Sequence, residues 1–419
     1  MTSVDTSEGA ITRVPGYRAA GVACGLKQSG QPDLALVVCD YPALAAGVYT
    51  TNVFRAAPVL YDAALLARKQ PPLIRAVVIN AGNANACTGE SGLRDAEHMA
   101  RLAESALGLP RDTVLVMSTG VIGRRLPMDK IEQGIRVAVQ SLSSRGGAAA
   151  ARAIMTTDLV PKEAYVHVVT GDHRFSIGGM AKGSGMIHPA LAPLRSGNDS
   201  MSPHATMLAL IVSDARVPAE VLQDALEKAV ALSFNRITVD GDTSTNDTVL
   251  LLASSKEDVP EIKLGSEVHR TFQMALTDVC LSLAKQIARD GEGATRLVQI
   301  TVRGAVNEAD AERAAKAIAT SPLVKTAIFG ADPNWGRILA AVGRSGARVE
   351  PQRTDLWLET LQLVAAGTPL DFDIDEAREM LRQPEVTIKV DLGLGVGEAT
   401  VWTCDLSYKY VEINAEYHT

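Results

Sequence analysis

The stretch Gly179-Met180-Ala181-Lys182-Gly183-Ser184-Gly185-Met186-Ile187-His188-Pro189, followed by His204-Ala205-Thr206-Met207-Leu208-Ala209-Leu210, decides how this chain is read. A threonine hydroxyl is a poor nucleophile unless a base stands beside it, and its own α-amino group becomes that base once the preceding bond is cut. Such an amine titrates near ~8, so a large share of it accepts a proton at neutral pH. Ala205-Thr206, a small residue then a hydroxyl at the start of an apolar strand, fits a scissile bond. On local sequence alone an ordinary reading stands beside it, because threonine at the edge of an apolar run is a common strand residue.

Composition bounds the alternatives. A chain of 419 residues is long for one core, so two domains are expected. With 47% hydrophobic, 21% charged and 4% aromatic residues, Ala, Val and Leu must fill the interior of a globular protein. The net charge of −7 and the lack of any basic run longer than Arg124-Arg125 argue against nucleic acid as a partner. The amino terminus, residues 1–18, is polar and has no apolar core of signal-peptide length, and no stretch approaches bilayer-spanning length, so a cytoplasmic protein without a membrane partner is expected. Cys24, Cys39, Cys87, Cys280 and Cys404 are dispersed and lack CxxC spacing, which reads as reduced thiols rather than disulfides or a zinc site.

Mixed α/β patterning runs through the chain. Leu34–Cys39, Ala76–Ile79, Val114–Met117, Leu208–Val212 and Val249–Ala253 have strand length and β-branched content. Helical spacing marks Leu93–Leu107, a segment opened by Pro218, and Val268–Ile287, which stops at Asp290-Gly291-Glu292-Gly293. Beyond that turn, Leu297–Val302, Glu308–Ala319 and Val324–Phe329 read as strand, helix and strand, with late strands over Val386–Val390 and Ala399–Leu406. Ser141–Ala151 reads as a helix end and loop.

Eight ordered words carry a resemblance: Ile79–Gly89 (INAGNANACTG), Met117–Gly123 (MSTGVIG), Ile154–Asp158 (IMTTD), Met180–Pro189 (MAKGSGMIHP), Val239–Thr248 (VDGDTSTNDT), Arg289–Arg296 (RDGEGATR), Phe329–Ile338 (FGADPNWGRI) and Tyr410–Thr419 (YVEINAEYHT). On these the chain resembles the ornithine acetyltransferase family, also called the bifunctional glutamate N-acetyltransferase or ArgJ family. The resemblance implies a self-cleaving, N-terminal-threonine-nucleophile α/β sandwich (ArgJ/DmpA-like) over residues 1–293, with a smaller C-terminal α/β domain over 294–419. It implies cleavage between Ala205 and Thr206 into an α chain, 1–205, and a β chain, 206–419, which stay together in a heterotetramer or larger assembly.

The same resemblance assigns roles. Thr206 would take the acetyl group of N-acetylornithine and pass it to glutamate, with the Thr119 hydroxyl and Gly120 amide as oxyanion donors. One such donor is ordinarily worth ~100- to 1,000-fold in rate. Thr156, Lys182, Thr206, Glu292, Asn414 and Thr419 match the substrate-binding positions. The charge of Lys182 suits an amino-acid carboxylate and that of Glu292 an ammonium group. Read from the residues alone, Lys182 is a lysine of a Gly/Ser-rich loop, Gly120 a strand-to-turn glycine and Glu292 a helix-end residue facing water. No cofactor or metal is implied, with acetyl-CoA as a possible second acetyl donor. None of the seven histidines forms an HExxH pair, and no GxSxG is present.

The chain departs from the family in one place. Typical members run almost directly from the His-Pro word to the Ala-Thr site, whereas here Ala190–Pro203 intervenes and reads as a surface loop. Roughly doubling that connection costs only ~0.6 kcal/mol of closure entropy, but it bears on the strain that drives cleavage. Three alternatives therefore accompany the acetyltransferase reading: a threonine-nucleophile amidohydrolase or aminopeptidase, a paralogous acyltransferase of secondary metabolism, and an uncleaved binding or scaffold protein.

Overall fold

The computed structural model describes residues 4–194, 207–254, 256 and 259–416. Contacts divide the chain into two compact units. The first comprises residues up to Asn235 together with Asp242–Ile287, and the second Arg236–Gly241 with Ala288–His418.

In the first unit, β1 (Tyr17–Val22), β2 (Leu34–Thr50), β3 (Ile74–Asn83), β4 (Val114–Val121), β5 (Lys162–Thr170), β6 (His173–Lys182), β7 (Leu191–Ala192), β8 (Leu208–Ser213) and β9 (Thr248–Ala253) form one sheet. Its order is β4-β3-β2-β9-β8-β6-β5, with β1 and β7 also on β2. The long β2 is the hinge of this arrangement. Its first half pairs with β3, its second half with β9, and the register shifts across Asp40-Tyr41-Pro42, which are exposed. Pro42 lacks the N–H that a continuous ladder would need.

Strand alternation then builds layers, because successive side chains point to opposite faces. Val37, Val77, Ile79, Leu115 and Met117 from one half share a buried cluster with Met180, Leu208, Leu210, Leu250 and Leu252 from the other. The opposite faces of β2, β3 and β4, through Leu36, Val78 and Val116, pack on Met99 and Ala103 of helix Gly89–Leu107 and on Ile131 and Ile135 of helix Met128–Gln140. Behind β6, helix Glu267–Arg289 lies so close that a Cβ on Gly179 would meet Leu283 at 2.8 Å, and Phe272 stacks at a tilt on Phe175. The two halves of the one sheet face each other across this core with helices outside them, the sandwich that the resemblance implied. Each fully buried Leu or Val in these layers stabilises the fold by about 1.5–3 kcal/mol before entropy is counted.

The second unit carries β10 (Leu297–Ala305), β11 (Asp355–Leu358), β12 (Leu361–Ala365), β13 (Thr368–Pro369), β14 (Glu385–Asp391) and β15 (Gly397–Cys404), in the order β13-β12-β11-β14-β10-β15. Helix Glu308–Ala319 has the bounds expected of it, opened by Asn307, whose side chain accepts from the Asp310 amide at 2.9 Å.

Three local expectations are corrected. Val324–Phe329 belongs to a helix, Pro322–Phe329, not a strand. Ser321 caps it, Pro322 pre-sets the first turn, and the buried Val324, Ala327 and Ile328 follow helical rather than alternating spacing. Within Ser141–Ala151, the alanine-rich half is helical over Gly147–Ala153, in keeping with alanine's helix propensity. Finally, Ala190–Pro203 is not loop throughout. Leu191 and Ala192 pair with Thr50 and Tyr49 as β7, and Asn235 closes the strand by accepting from the Leu191 amide and donating to its carbonyl. Among the described residues no helix is long and apolar enough to cross a membrane.

Candidate active site

Residues Thr119 and Gly120 stand near the end of β4, where it runs parallel to β3. Gly120 has φ +130°, open to glycine but strained for other residues, and a Cβ there would lie 2.4 Å from the Gly82 carbonyl carbon and 2.5 Å from the Asn83 nitrogen. Glycine is therefore required by the approach of the two strands, not merely tolerated at a turn.

A mesh of buried amides holds this strand end. Asn80 accepts from Ser118 Oγ at 2.6 Å and donates to the Asn83 carbonyl at 2.8 Å. Asn246 donates to the carbonyls of Ala84 at 2.6 Å and Ser118 at 2.7 Å. Buried amide groups need such partners, and their fixed geometry sets the direction of the backbone they bind. The asparagines of the INAGNANACTG and STND words thus aim the Thr119-Gly120 backbone, a role that reading the words as signatures did not reveal.

Lys182 is not a loop residue. It ends β6, is 2% exposed, and its Nζ donates to Thr119 Oγ1 at 3.2 Å. Beside it, Asp158 collects charge and amides: Lys162 Nζ at 2.7 Å, the Gly183 amide at 2.7 Å and the Thr156 amide at 2.9 Å. The Lys162–Asp158 pair is fully buried. Burial alone would raise the Asp158 carboxyl, but the Lys182 and Lys162 charges and these hydrogen bonds overcome that and hold it well below its ordinary range. Through Asp158, Thr156 and Lys182 are fastened to one anchor, although their sequence words lie apart. Asp158 was not singled out from the sequence; its spacing of four from Lys162 was the available signal.

The strand that follows the expected cut is β8, and its first residue, Leu208, lies opposite Lys182 in the β6 ladder. Just before it, the Met207 amide donates to Asp247 Oδ1 at 2.5 Å. Asp247 is fully buried, and its other oxygen has no hydrogen-bond partner among the described residues. Burial raises this carboxyl well above its ordinary value, only partly offset by the Met207 amide and the Lys182 charge. Ala205 and Thr206 lie outside the described residues, as do His204 and Thr419.

Within the second unit, Glu292 and Asn414 meet. Asn414, on helix Tyr408–Glu416, donates to Glu292 Oε2 at 2.8 Å, and Glu292 is 8% exposed rather than a water-facing turn residue. The turn that carries Glu292 is fixed by Asp405, which accepts from the Thr295 and Arg296 amides, and by Ser407, which donates to the Gly293 carbonyl at 2.6 Å. Gly293 has φ +69°, and a Cβ there would fall 2.6 Å from the Tyr410 nitrogen. Cys87 is exposed with φ 56°, while Cys39, Cys280 and Cys404 are buried.

These elements make a layered α/β enzyme scaffold in which Thr119, the required Gly120 and the buried Lys182 come together beside the start of β8. Residues 18–419 match the profile described as the ArgJ family, and the chain belongs to that family. It is 50% identical over 413 residues to the arginine biosynthesis bifunctional protein ArgJ of Symbiobacterium thermophilum, covering 98% of this chain and 99% of that protein. Its counterpart in Dehalococcoides mccartyi is 48% identical over 414 residues, 98% of each chain. Among solved structures, an ornithine acetyltransferase complexed with ornithine from Mycobacterium tuberculosis is 43% identical, covering 45% of this chain and 100% of that one at a TM-score of 0.42.

Proposed function

We infer that this chain cuts itself between Ala205 and Thr206 and that the freed Thr206 transfers an acetyl group from N-acetylornithine to glutamate, the acetyl-recycling step of arginine biosynthesis. The observation that carries this reading is the buried Lys182–Thr119 contact beside Gly120, at the ladder position facing the start of β8. In this reading the Thr206 hydroxyl attacks the acetyl carbonyl, its amine takes the proton, and ornithine leaves. The acetyl ester then passes to the glutamate amine. The Thr119 hydroxyl and the Gly120 amide receive the oxyanion of both tetrahedral intermediates. Thr156, Lys182, Glu292, Asn414 and Thr419 bind substrate in this reading, with Glu292 as counter-charge to an ammonium group.

The α and β chains stay paired because the ladder from Ile177–Ser213 to Lys182–Leu208 joins a strand before the cut to one after it. We extend the reading to an assembly of two or more αβ pairs, to acetyl-CoA as a second donor with no bound cofactor, and to residence in the cytoplasm, which suits five free cysteines.

The test is the denatured mass of the purified protein beside its Thr206→Ala variant. Two wild-type fragments divided before Thr206, an intact variant, and a β chain heavier by one acetyl group after exposure to N-acetylornithine are expected. Omission of glutamate should leave that ester in place; its rapid loss to water would make the enzyme an amidohydrolase. A single intact wild-type chain would overturn the reading.

A further inference from the structure

The oxyanion donors and the nucleophile do not complete the chemistry of self-cleavage. As the Thr206 hydroxyl attacks the Ala205 carbonyl, the amide nitrogen of Thr206 must become an amine, and it leaves readily only if it is protonated. We propose that the carboxyl of Asp247 is the acid that delivers this proton, a catalytic role distinct from those of Thr206, Thr119, Gly120 and Lys182. The inference rests on the self-cleavage reading above.

Position comes first. Asp247 Oδ1 accepts from the Met207 amide, which is one residue along the backbone from the nitrogen that must be protonated. Asp247 Oδ2 is buried and has no hydrogen-bond partner among the described residues, a costly state for a polar atom unless it serves something. The residue is itself locked: its carbonyl accepts from the Thr50 amide at 2.9 Å, and Thr248 beside it pairs with Leu208 across β9 and β8. The carboxyl therefore cannot swing away to solvent. Of the charged groups, the Lys182 ammonium on β6 is the one that acts on it, and burial wins over that charge, which raises the carboxyl and favours its protonated form.

The balance closes without any added reagent. The Thr206 Oγ–C bond to the Ala205 carbonyl carbon forms and the carbon–nitrogen bond breaks. Asp247 Oδ2 gives its proton to the nitrogen, and the resulting carboxylate takes up the proton lost by the Thr206 hydroxyl. Water then hydrolyses the ester, releasing Ala205 as a carboxylate and Thr206 with free hydroxyl and amine. In the mature enzyme the same carboxyl, kept neutral, does not hold the new amine as an ammonium ion, which leaves it basic for acetyl transfer.

The test follows cleavage of full-length chains made by cell-free translation, sampled with time and weighed under denaturing conditions. Asp247→Asn keeps an acceptor for the Met207 amide and loses the transferable proton. Its cleavage should slow by about 100-fold or more, the ordinary worth of general acid catalysis, with a cooperative thermal transition retained. Asp247→Ala opens the space of the carboxyl, and added formate should restore its cleavage in proportion to concentration. Wild-type speed in the Asn variant overturns the proposal, and so does a slow Ala variant that formate fails to rescue, which would mark a structural role. Thr206→Ala run in parallel separates the two readings: if it too is cut, the nucleophile assignment fails rather than the role of Asp247.

Discussion

Asp158 and Asp247 are both buried carboxyls on which Lys182 acts, yet their surroundings push them in opposite directions. Asp158 has two lysines and two backbone amides, so the cost of burying a charge is more than repaid and the group stays ionised. Asp247 has one amide and the shared lysine, and burial prevails. The difference teaches that depth does not set the charge of a carboxyl here; the number of donors within reach does. One becomes an anchor for binding residues, the other a store for a proton.

The largest effect expected follows from emptying the anchor. In the uncleaved Thr206→Ala chain, Asp158→Asn leaves Lys162 and Lys182 buried without their carboxylate and should cost about 3–5 kcal/mol, read as a lower denaturation midpoint. Lys162→Met should cost less, because the Lys182 charge still acts on Asp158. It should move acid unfolding to higher pH, since Asp158 is then less strongly depressed. Unchanged midpoints in both variants would break the comparison.

The two carboxyls should also leave opposite marks on stability against pH. Asp158, depressed when folded, contributes stability that is present above its ordinary value of 3.8 and lost as pH falls through its folded value. Asp247, raised when folded, contributes stability that is present below 3.8 and lost as pH rises toward its folded value. Denaturation midpoints followed from acid to neutral pH should therefore lose their rising limb in Asp158→Asn and part of their falling limb in Asp247→Asn. The same slope in both variants would mean that the two sites do not differ in charge.

In the second unit the pairing is between an amide and a carboxylate. Asn414→Asp sets a like charge against Glu292 Oε2 in place of a donor. Losing a hydrogen bond to a charged group is worth about 1.5–3 kcal/mol. We expect KM for the amino-acid substrates to rise by roughly tenfold or more, with Asn414→Gln recovering part of it. A change confined to kcat would argue that Asn414 does not act in binding.

What was legible in the sequence follows from the range of the interactions that decide each element. Helix Glu308–Ala319 announces itself because helical period and burial agree, and strands Val114–Val121 and Leu208–Ser213, buried on both faces, by their length and β-branched content. Thr119, Lys182, Glu292 and Asn414 were reached only through the resemblance. Their contacts join Thr119 to Lys182 and Glu292 to Asn414, partners remote in sequence that no window contains. Lys182 looked like a loop residue because its glycines, Gly183 and Gly185, follow it, while the strand that holds it precedes it. Asp247 was hidden inside a word read as a signature, and the lack of a partner for its Oδ2 among the described residues is a property of packing, not of composition.

The smallest effect serves as the reference for the others. Val324–Phe329 has apolar, partly β-branched residues of strand length, and the helix prevails because Ser321 accepts from the Val324 amide while Pro322 fixes the first turn. Ser321→Ala should remove about 1 kcal/mol through an uncharged cap in the second unit. Its midpoint should fall by the same small amount at every pH, with acid and alkaline limbs unmoved. If instead this neutral change reshapes the pH profile, the limbs assigned to Asp158 and Asp247 belong to unfolding as a whole, and the contrast between the two carboxyls would need to be drawn from proton titration of each group directly.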